Sequence, residues 1–311
     1  MTAAAIGGPA AGGQPPGARM GAIGAMQRRL ESAGYICERD LAATLLLMAD
    51  LRRPLLVEGD PGVGKTEIAK ALARAHETRL IRLQCFEGLD LHHALYEWNY
   101  QRQLLAIRLS ETSGPGGLEE EALFSTHYLL RRPLLEALLH PSPAVLLIDE
   151  IDRADEAFEA FLLEMLSDYQ VSIPEMGTIQ AVSIPLVVLT SNGTRELSDA
   201  LRRRCLYAYL GTPSFAKESA ILALRLPSLP DRLARQIVEF VQAIRQLGLK
   251  KPPGIAETLD WAAALLGLGI TSLDEAGPEG IVETLAALLK TREDVQTLEP
   301  VALARLLALA G

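Results

Sequence analysis

Short apolar runs alternate with stretches of helical periodicity along the N-terminal part of the chain. Leu55-Leu56-Val57-Glu58 has the length and character of a buried parallel strand. Beyond the turn that follows, residues 66–76 place Ile68, Ala71, Leu72 and Ala75 at i, i+3, i+4 and i+7, one face of a helix. The same reading gives strands at 80–84, 144–148, 185–190 and a last one ending about 210. Helices are expected at 23–33, 38–51, 131–140 and 154–167, the last carrying Ala157, Phe158, Phe161, Leu162 and Met165 on one side. Residues 169–173 and 178–182 flank Pro174-Glu175-Met176-Gly177 and read as a β-hairpin. Strand signals then stop. Helical patterns cover 214–224, 230–247, 255–266, 278–290 and 300–309, most of them separated by Pro and Gly, with Trp261 expected in their core. The pattern predicts an α/β fold, an αβα core on a parallel sheet over residues 20–211. An inserted stretch falls at about 86–128 and the hairpin at about 169–182, and an all-α domain follows over 212–311.

Composition narrows the classes. A chain of 311 residues has room for two domains, and 49% hydrophobic residues with only 5% aromatics leave Leu and Ala to fill helical cores. The net charge of −9 argues against a general nucleic-acid surface, which needs clustered Lys and Arg, although it allows a local basic pore. Cys37, Cys85 and Cys205 show no CxxC spacing and read as free thiols in a reducing cytosol, hence a cytoplasmic protein. No apolar run reaches the roughly 18 residues of a membrane helix. Residues 1–19, rich in Ala, Gly and Pro and lacking an apolar signal core, read as a disordered tail.

The chemistry centres on Gly59-Asp60-Pro61-Gly62-Val63-Gly64-Lys65-Thr66, which fits G-x-x-x-x-G-K-[ST] without a gap. Glycines let the backbone curl so that its N–H groups meet phosphate oxygens, and the following helix turns its positive end toward them. Lys65 is expected to reach the β- and γ-phosphates, and the Thr66 hydroxyl to ligate Mg²⁺. The apolar strand at 144–148 delivers Asp149 and Glu150, the first to hold Mg²⁺ and the second to polarise the attacking water as general base. The strand at 185–190 ends on Ser191-Asn192, and Asn192 either faces the ligand crevice at a strand C-terminus, where it can orient that water or sense the γ-phosphate, or caps a turn before Gly193. Arg202-Arg203-Arg204 reads as a solvated face or as the source of an arginine finger for a neighbouring subunit, either Arg203 or Arg204, with Arg204 favoured. Tyr35 and Ile36 are candidates for an adenine pocket and equally for ordinary core. His92-His93 point in different directions on a helix, with no acid or cysteine spaced to complete a metal site.

The ordered set of P-loop, Asp-Glu strand, hairpin, Thr-Ser-Asn strand end and arginine cluster resembles the AAA+ ATPases. The hairpin and the insertion are similar to those of the MoxR branch. The strings Cys85-Phe86-Glu87-Gly88-Leu89-Asp90, Tyr96-Glu97-Trp98-Asn99-Tyr100 and Pro252-Pro253-Gly254-Ile255-Ala256-Glu257-Thr258-Leu259-Asp260-Trp261 are most similar to CoxD-like proteins of carbon monoxide dehydrogenase gene clusters. The resemblance spans about residues 20–268. It implies Lys65 and Thr66 as Walker A, Asp149 and Glu150 as Walker B, Asn192 as sensor 1, Arg204 at the finger position and a helical lid. It further implies ATP with Mg²⁺ and a homo-oligomeric, hexameric ring. The implied partners are a von Willebrand factor A domain protein and a metalloenzyme client, here a molybdenum-containing dehydrogenase. One departure stands out. Where relatives carry a sensor 2 arginine, this chain has Ile255-Ala256-Glu257, so that Lys250 or Lys251 substitutes or the lid works without a cation. A DNA-directed AAA+ motor shares the motor residues but calls for a basic pore or DNA-binding appendage. A GTPase or small-molecule kinase shares the P-loop alone, and no Asn-Lys-x-Asp motif occurs.

Overall fold

A computed structural model describes residues 16–112 and 120–298. Helices α1 (Pro16–Ser32) and α2 (Arg39–Leu51) precede β1 (Leu55–Gly59), and the glycine-rich turn after it opens α3 (Lys65–Ala75). Strand β2 (Leu80–Gln84) is followed by α4 (Leu91–Ala94), β3 (Tyr96–Trp98), α5 (Tyr100–Thr112), α6 (Glu120–Leu123) and β4 (Leu129–Arg131). Next come α7 (Pro133–Leu138), β5 (Val145–Asp149), a single 3-10 turn at Ile151–Arg153 and α8 (Glu156–Asp168). The hairpin β6 (Gln170–Ile173) and β7 (Gly177–Gln180), then β8 (Leu186–Ser191), α9 (Asp199–Arg204) and β9 (Leu206–Leu210) complete the α/β part. Every described element after β9 is helical: α10 (Phe215–Arg225), α11 (Asp231–Arg245), α12 (Ile255–Gly267), α13 (Leu273–Leu288) and α14 (Arg292–Thr297).

Five strands form the main sheet in the order β2-β5-β8-β1-β9. Parallel register pairs Gln84 with Asp149, Ile148 with Leu189, and Glu58 with Ser191. The C-terminal ends of β5, β8 and β1 therefore share one edge of the sheet. Every residue of β5 is buried, which is why Val145-Leu146-Leu147-Ile148 is an unbroken apolar run rather than an alternation. Helix starts are fixed by short polar side chains: the Asp155 carboxylate accepts from Phe158 N, and the Ser198 and Ser214 hydroxyls do the same for α9 and α10.

Packing gathers the described residues into two compact units. One holds residues up to Arg29, Cys37–Glu58 and Ala69–Ala208, and the other holds Leu30–Ile36, Gly59–Ile68 and Tyr209 onward. The P-loop thus groups with the C-terminal helices, a division that does not follow chain order. Within the second unit Trp261 is fully buried, its ring against Phe240 at 5.0 Å and its Nε1 donating to Thr284 Oγ1 at 2.8 Å.

Several expectations are corrected. The helix expected from residue 131 starts at Pro133, because Leu129–Arg131 pairs antiparallel with β3. Helix α1 starts at Pro16, inside the expected tail, with proline at its favoured first position. Residues 1–15, the glycine-rich loop at 113–117 and the helix expected at 300–309 lie outside the described residues. Helix α13 has an extra turn before the expected start at 278, broken at Gly277 with φ +63°. Helix α14 was not anticipated. In the inserted stretch Tyr96 and Trp98 pack edge-to-face at 5.9 Å, whereas Tyr100 is 60% exposed. No helix among the described residues is long and apolar enough to cross a membrane.

Candidate functional site

The P-loop runs from the end of β1 into α3. A Cβ at Gly59 would lie 2.1 Å from the Leu210 carbonyl oxygen, so that position admits only glycine. Gly62 and Gly64 have φ of +80° and +96°, the left-handed region that curls the loop. Asp60 and Pro61 are exposed at its rim, and Val63 and Thr66 are half-buried. Lys65 is buried, and its Nζ donates to the Gly59 and Asp60 carbonyls at 2.6 and 2.8 Å. The ammonium is thus held over the loop by the same backbone that a phosphate would meet on its N–H side. The start of α12 lies against this loop: Ile255 N donates to the Gly62 carbonyl at 3.0 Å. Tyr35 and Ile36, half-buried, belong to the same compact unit. Lys250 and Lys251, the expected substitutes for a sensor 2 arginine, have exposed side chains, and their backbone N–H groups donate to Asp294 at 2.8 and 3.1 Å.

At the sheet edge, Asp149 is buried at the end of β5. Thr190 on the adjacent strand β8 donates to Asp149 Oδ1 at 2.5 Å and accepts from Glu150 N at 2.9 Å. One hydroxyl thereby fixes both carboxylate-bearing residues. Arg82 on β2 holds the other carboxylate oxygen, with Nη2 and Nε at 2.6 and 3.1 Å from Oδ2. Glu150 adopts φ +55° and ψ +51°, left-handed backbone that a non-glycine residue occupies only when its surroundings impose it. That kink turns its side chain, about one third exposed, away from the strand, with Oε2 3.1 Å from Arg153 Nη1.

Asn192 sits just past the end of β8. Its N–H donates to Asp152 Oδ2 at 3.2 Å, and its side-chain amide bonds to no described residue. The same Asp152 oxygen accepts from Thr194 N at 2.9 Å and Thr194 Oγ1 at 2.6 Å. Burial would raise the Asp152 pKa, but these donors together hold it below the ordinary value. Buried Glu159 pairs with Arg195 and accepts from Ser198 N at 2.9 Å, tying down the rest of the segment. Cys85 lies beneath these carboxylates: burial first, then the charges of Asp149, Asp152 and Glu150, push its thiol up to about 12. Burial likewise pushes Cys205 up to about 12.

The three arginines of α9 have three different fates. Arg202 pairs with Glu58 at 2.9 Å. Arg204 bends back, Nε donating to Ser167 Oγ at 2.6 Å and Nη1 to the Ala200 carbonyl at 3.1 Å. Arg203 is exposed, and its guanidinium bonds to no described residue. Arg53 satisfies the carbonyls at the end of this helix, donating to those of Arg203, Arg204 and Cys205 at 2.5, 3.1 and 3.2 Å. Asp152, Thr190, Arg82 and Arg53 were all missed by sequence reasoning. Asp152 alone left a trace, as the next acid after Asp149-Glu150. Near His92-His93, Asp90 Oδ1 is 2.7 Å from His93 Nδ1, where it caps α4.

No group of three or more His, Cys, Asp or Glu side chains among the described residues could hold a metal by itself. The two residues that the sequence assigns to a cation, Thr66 and Asp149, carry hard oxygens. Such a set fits magnesium, which keeps most of its shell as water and phosphate oxygen, and does not fit zinc.

Residues 54–205 match the family model of the AAA domain (dynein-related subfamily). The chain is similar to the chaperone protein ClpB of Chlamydia muridarum, 28% identical over 204 residues that make up 63% of this chain and 20% of that protein. It is 33% identical over 151 residues to chaperone protein ClpB 2 of Parasynechococcus marenigrum, 47% of this chain and 14% of the relative. Midasin of Dictyostelium discoideum is 26% identical over 209 residues, 64% of this chain and 3% of midasin. The chain thus spans a fifth or less of the length of these relatives. Among solved structures, the RuvB Holliday junction branch migration motor of Thermotoga maritima aligns with a TM-score of 0.41 at 17% identity, covering 88% of this chain and 69% of that one. Glycine-built P-loop, Asp-Glu strand end and family match agree over residues 54–205, which are similar to the AAA domain (dynein-related subfamily) and read as an ATPase domain.

Proposed function

We propose that this chain hydrolyses ATP in a magnesium-dependent way to remodel a client protein, as a MoxR-type AAA+ motor of the CoxD-like branch. The observation that carries the reading is the P-loop with its buried Lys65, at the end of a strand whose sheet also ends on Asp149 and Glu150. The N–H groups of residues 59–66 and Lys65 bind the phosphates. Thr66 and Asp149 hold magnesium, which when bound offsets charge on the phosphate oxygens. Glu150 takes the proton of the attacking water, and Asn192, its amide uncommitted, orients that water. Arg203 is the better supported finger, since Arg204 is already spent on Ser167 and Ala200.

A finger of this kind acts on a neighbour, so the working form is a homo-oligomeric ring, hexameric by resemblance, in the cytoplasm. Remodelling of a protein is supported by the ClpB relatives, which are named chaperones, and by the acidic net charge of −9. The von Willebrand factor A domain partner and the molybdenum-containing, carbon monoxide dehydrogenase-like client rest on the strings at 85–90, 96–100 and 252–261.

The test is the solution mass of Glu150→Gln protein by light scattering, with and without ATP and Mg²⁺. Bound, unhydrolysed ATP and a shift to about six protomers are expected, with general-base removal costing about 100- to 10,000-fold in turnover. Wild-type turnover in Glu150→Gln overturns the base assignment. A monomer under both conditions overturns the ring, and DNA-stimulated turnover overturns the protein client.

A further inference from the structure

Helix α12 begins where relatives are expected to supply a cation, yet what it offers the P-loop is backbone. The first N–H groups of a helix have no partner inside it. In α12 the Glu257 carboxylate satisfies Gly254 N at 3.0 Å, while Ile255 N is spent on the Gly62 carbonyl at 3.0 Å. The two chains approach so closely that a Cβ at Gly254 would sit 2.9 Å from the Cα, C and O atoms of Gly62. A Cβ at Gly62 would in turn lie 3.3 Å from Gly254 Cα and 3.1 Å from Glu257 Oε2. Glycine against glycine is thus a requirement of the contact on both sides. The loop turns its N–H groups inward for phosphate, so a bond to the Gly62 carbonyl grips it from outside and leaves the cradle open.

The gripping segment is itself braced. Arg245 Nε donates to the Pro253 carbonyl at 2.7 Å, and its other nitrogens make a bidentate pair with Glu218 at 2.7 and 2.8 Å. Glu218 is fully buried and also accepts from Gln242 Nε2 and Thr258 Oγ1, both at 2.8 Å. The Gly254 carbonyl lies 3.0 Å from the same Oγ1, so that the single hydroxyl hydrogen is shared between the two acceptors. A buried ion pair is weak as a source of stability, but with every oxygen partnered it fixes one geometry. What it fixes here is the backbone of Pro253 and Gly254.

We propose that Gly254 and Ile255 are positioning residues for ATP binding. Through the Gly62 carbonyl they set the curvature of the P-loop, so that the C-terminal helices are coupled to phosphate by main chain in place of a sensor arginine. This rests on the ATP-binding reading of the P-loop. It also explains the departure at Ile255-Ala256-Glu257: an acid is tolerated beside the loop because it caps its own helix.

The test uses proline. Ile255 is the first residue of α12, where proline is tolerated, and Gly254 has the extended backbone (φ −86°, ψ −173°) that a following proline requires. Ile255→Pro in the full chain therefore deletes the N–H donor and keeps the helix start, and Ile255→Ala trims the side chain and keeps the donor. Affinity for Mg²⁺-ATP is measured by calorimetry, together with amide hydrogen exchange of residues 59–66 without nucleotide. The Ile255→Pro variant is expected to bind ATP about three- to tenfold more weakly than Ile255→Ala, the worth of one net hydrogen bond, and to exchange faster in the loop. Gly254→Ala is expected to weaken binding at least as much. Equal binding and equal exchange in Ile255→Pro and Ile255→Ala overturn the positioning role while leaving the ATPase reading intact. A wild-type chain that binds no ATP overturns both.

Discussion

The sheet edge and the P-loop meet the same demand, rigid placement of reactive groups, by opposite means. At the edge, ordinary side chains do the holding: Thr190 spans Asp149 and Glu150, Asp152 holds Asn192 and Thr194, and Glu159 holds Arg195 and Ser198. In the P-loop the shape comes from missing side chains, at Gly59, Gly62 and Gly254, and from a carbonyl gripped by a backbone N–H. A phosphate cradle must present several N–H groups at once, which only backbone can do. Carboxylates at a strand end must instead be aimed, and side-chain donors and acceptors from the neighbouring strand do this.

Substitutions can break this contrast, beginning with the largest effect. Lys65→Ala removes the ammonium proposed to reach phosphate, and ATP binding is expected to fall about 100-fold or more, measured by calorimetry. Binding kept within a few-fold would mean that backbone alone suffices there. Next, Arg203→Ala is expected to lower turnover of the assembled protein about 1,000-fold, and Arg204→Ala by less than about tenfold, in a steady-state ATPase assay. The reverse order would show that the Ser167 contact gives way in the ring. Thr190→Val leaves Glu150 N–H and Asp149 Oδ1 without their shared hydroxyl and is expected to cost about 1–3 kcal/mol in urea unfolding. An unchanged midpoint would remove the hydroxyl from the account. The smallest effect concerns acid. The Asp152 carboxyl is held below its ordinary value, so its ionised form favours the native state, and this stability is present above about pH 4 and lost as pH falls through the lower native value. Melting temperatures taken from pH 6 downward should fall more steeply for wild type than for Asp152→Asn, and parallel curves would contradict the assignment.

The same contrast governs what could be read in advance. Strands β1, β5 and β8 were visible because burial on both faces demands unbroken apolar runs, and the P-loop because its glycines cannot be anything else. Strand β4 was hidden, since three residues ending in Arg131 carry too little periodicity. Helix α14 has no apolar stripe either: its buried residue is Asp294, fixed by Thr291 and by the backbone of Lys250 and Lys251. Thr190 and Asp152 are common residues whose partners lie some forty positions away, and their roles exist only once β5 and β8 are neighbours. Gly254 lies within the string at 252–261, but nothing in its sequence neighbourhood announces Gly62.

The cysteines carry a practical consequence. All three are buried, and two have thiols pushed up to about 12, so at neutral pH almost none of either is present as the thiolate that attacks a maleimide. A fluorophore attached through a cysteine introduced at exposed Tyr100 would therefore meet little competition from Cys85 or Cys205, which leaves Cys37 as the native thiol to replace.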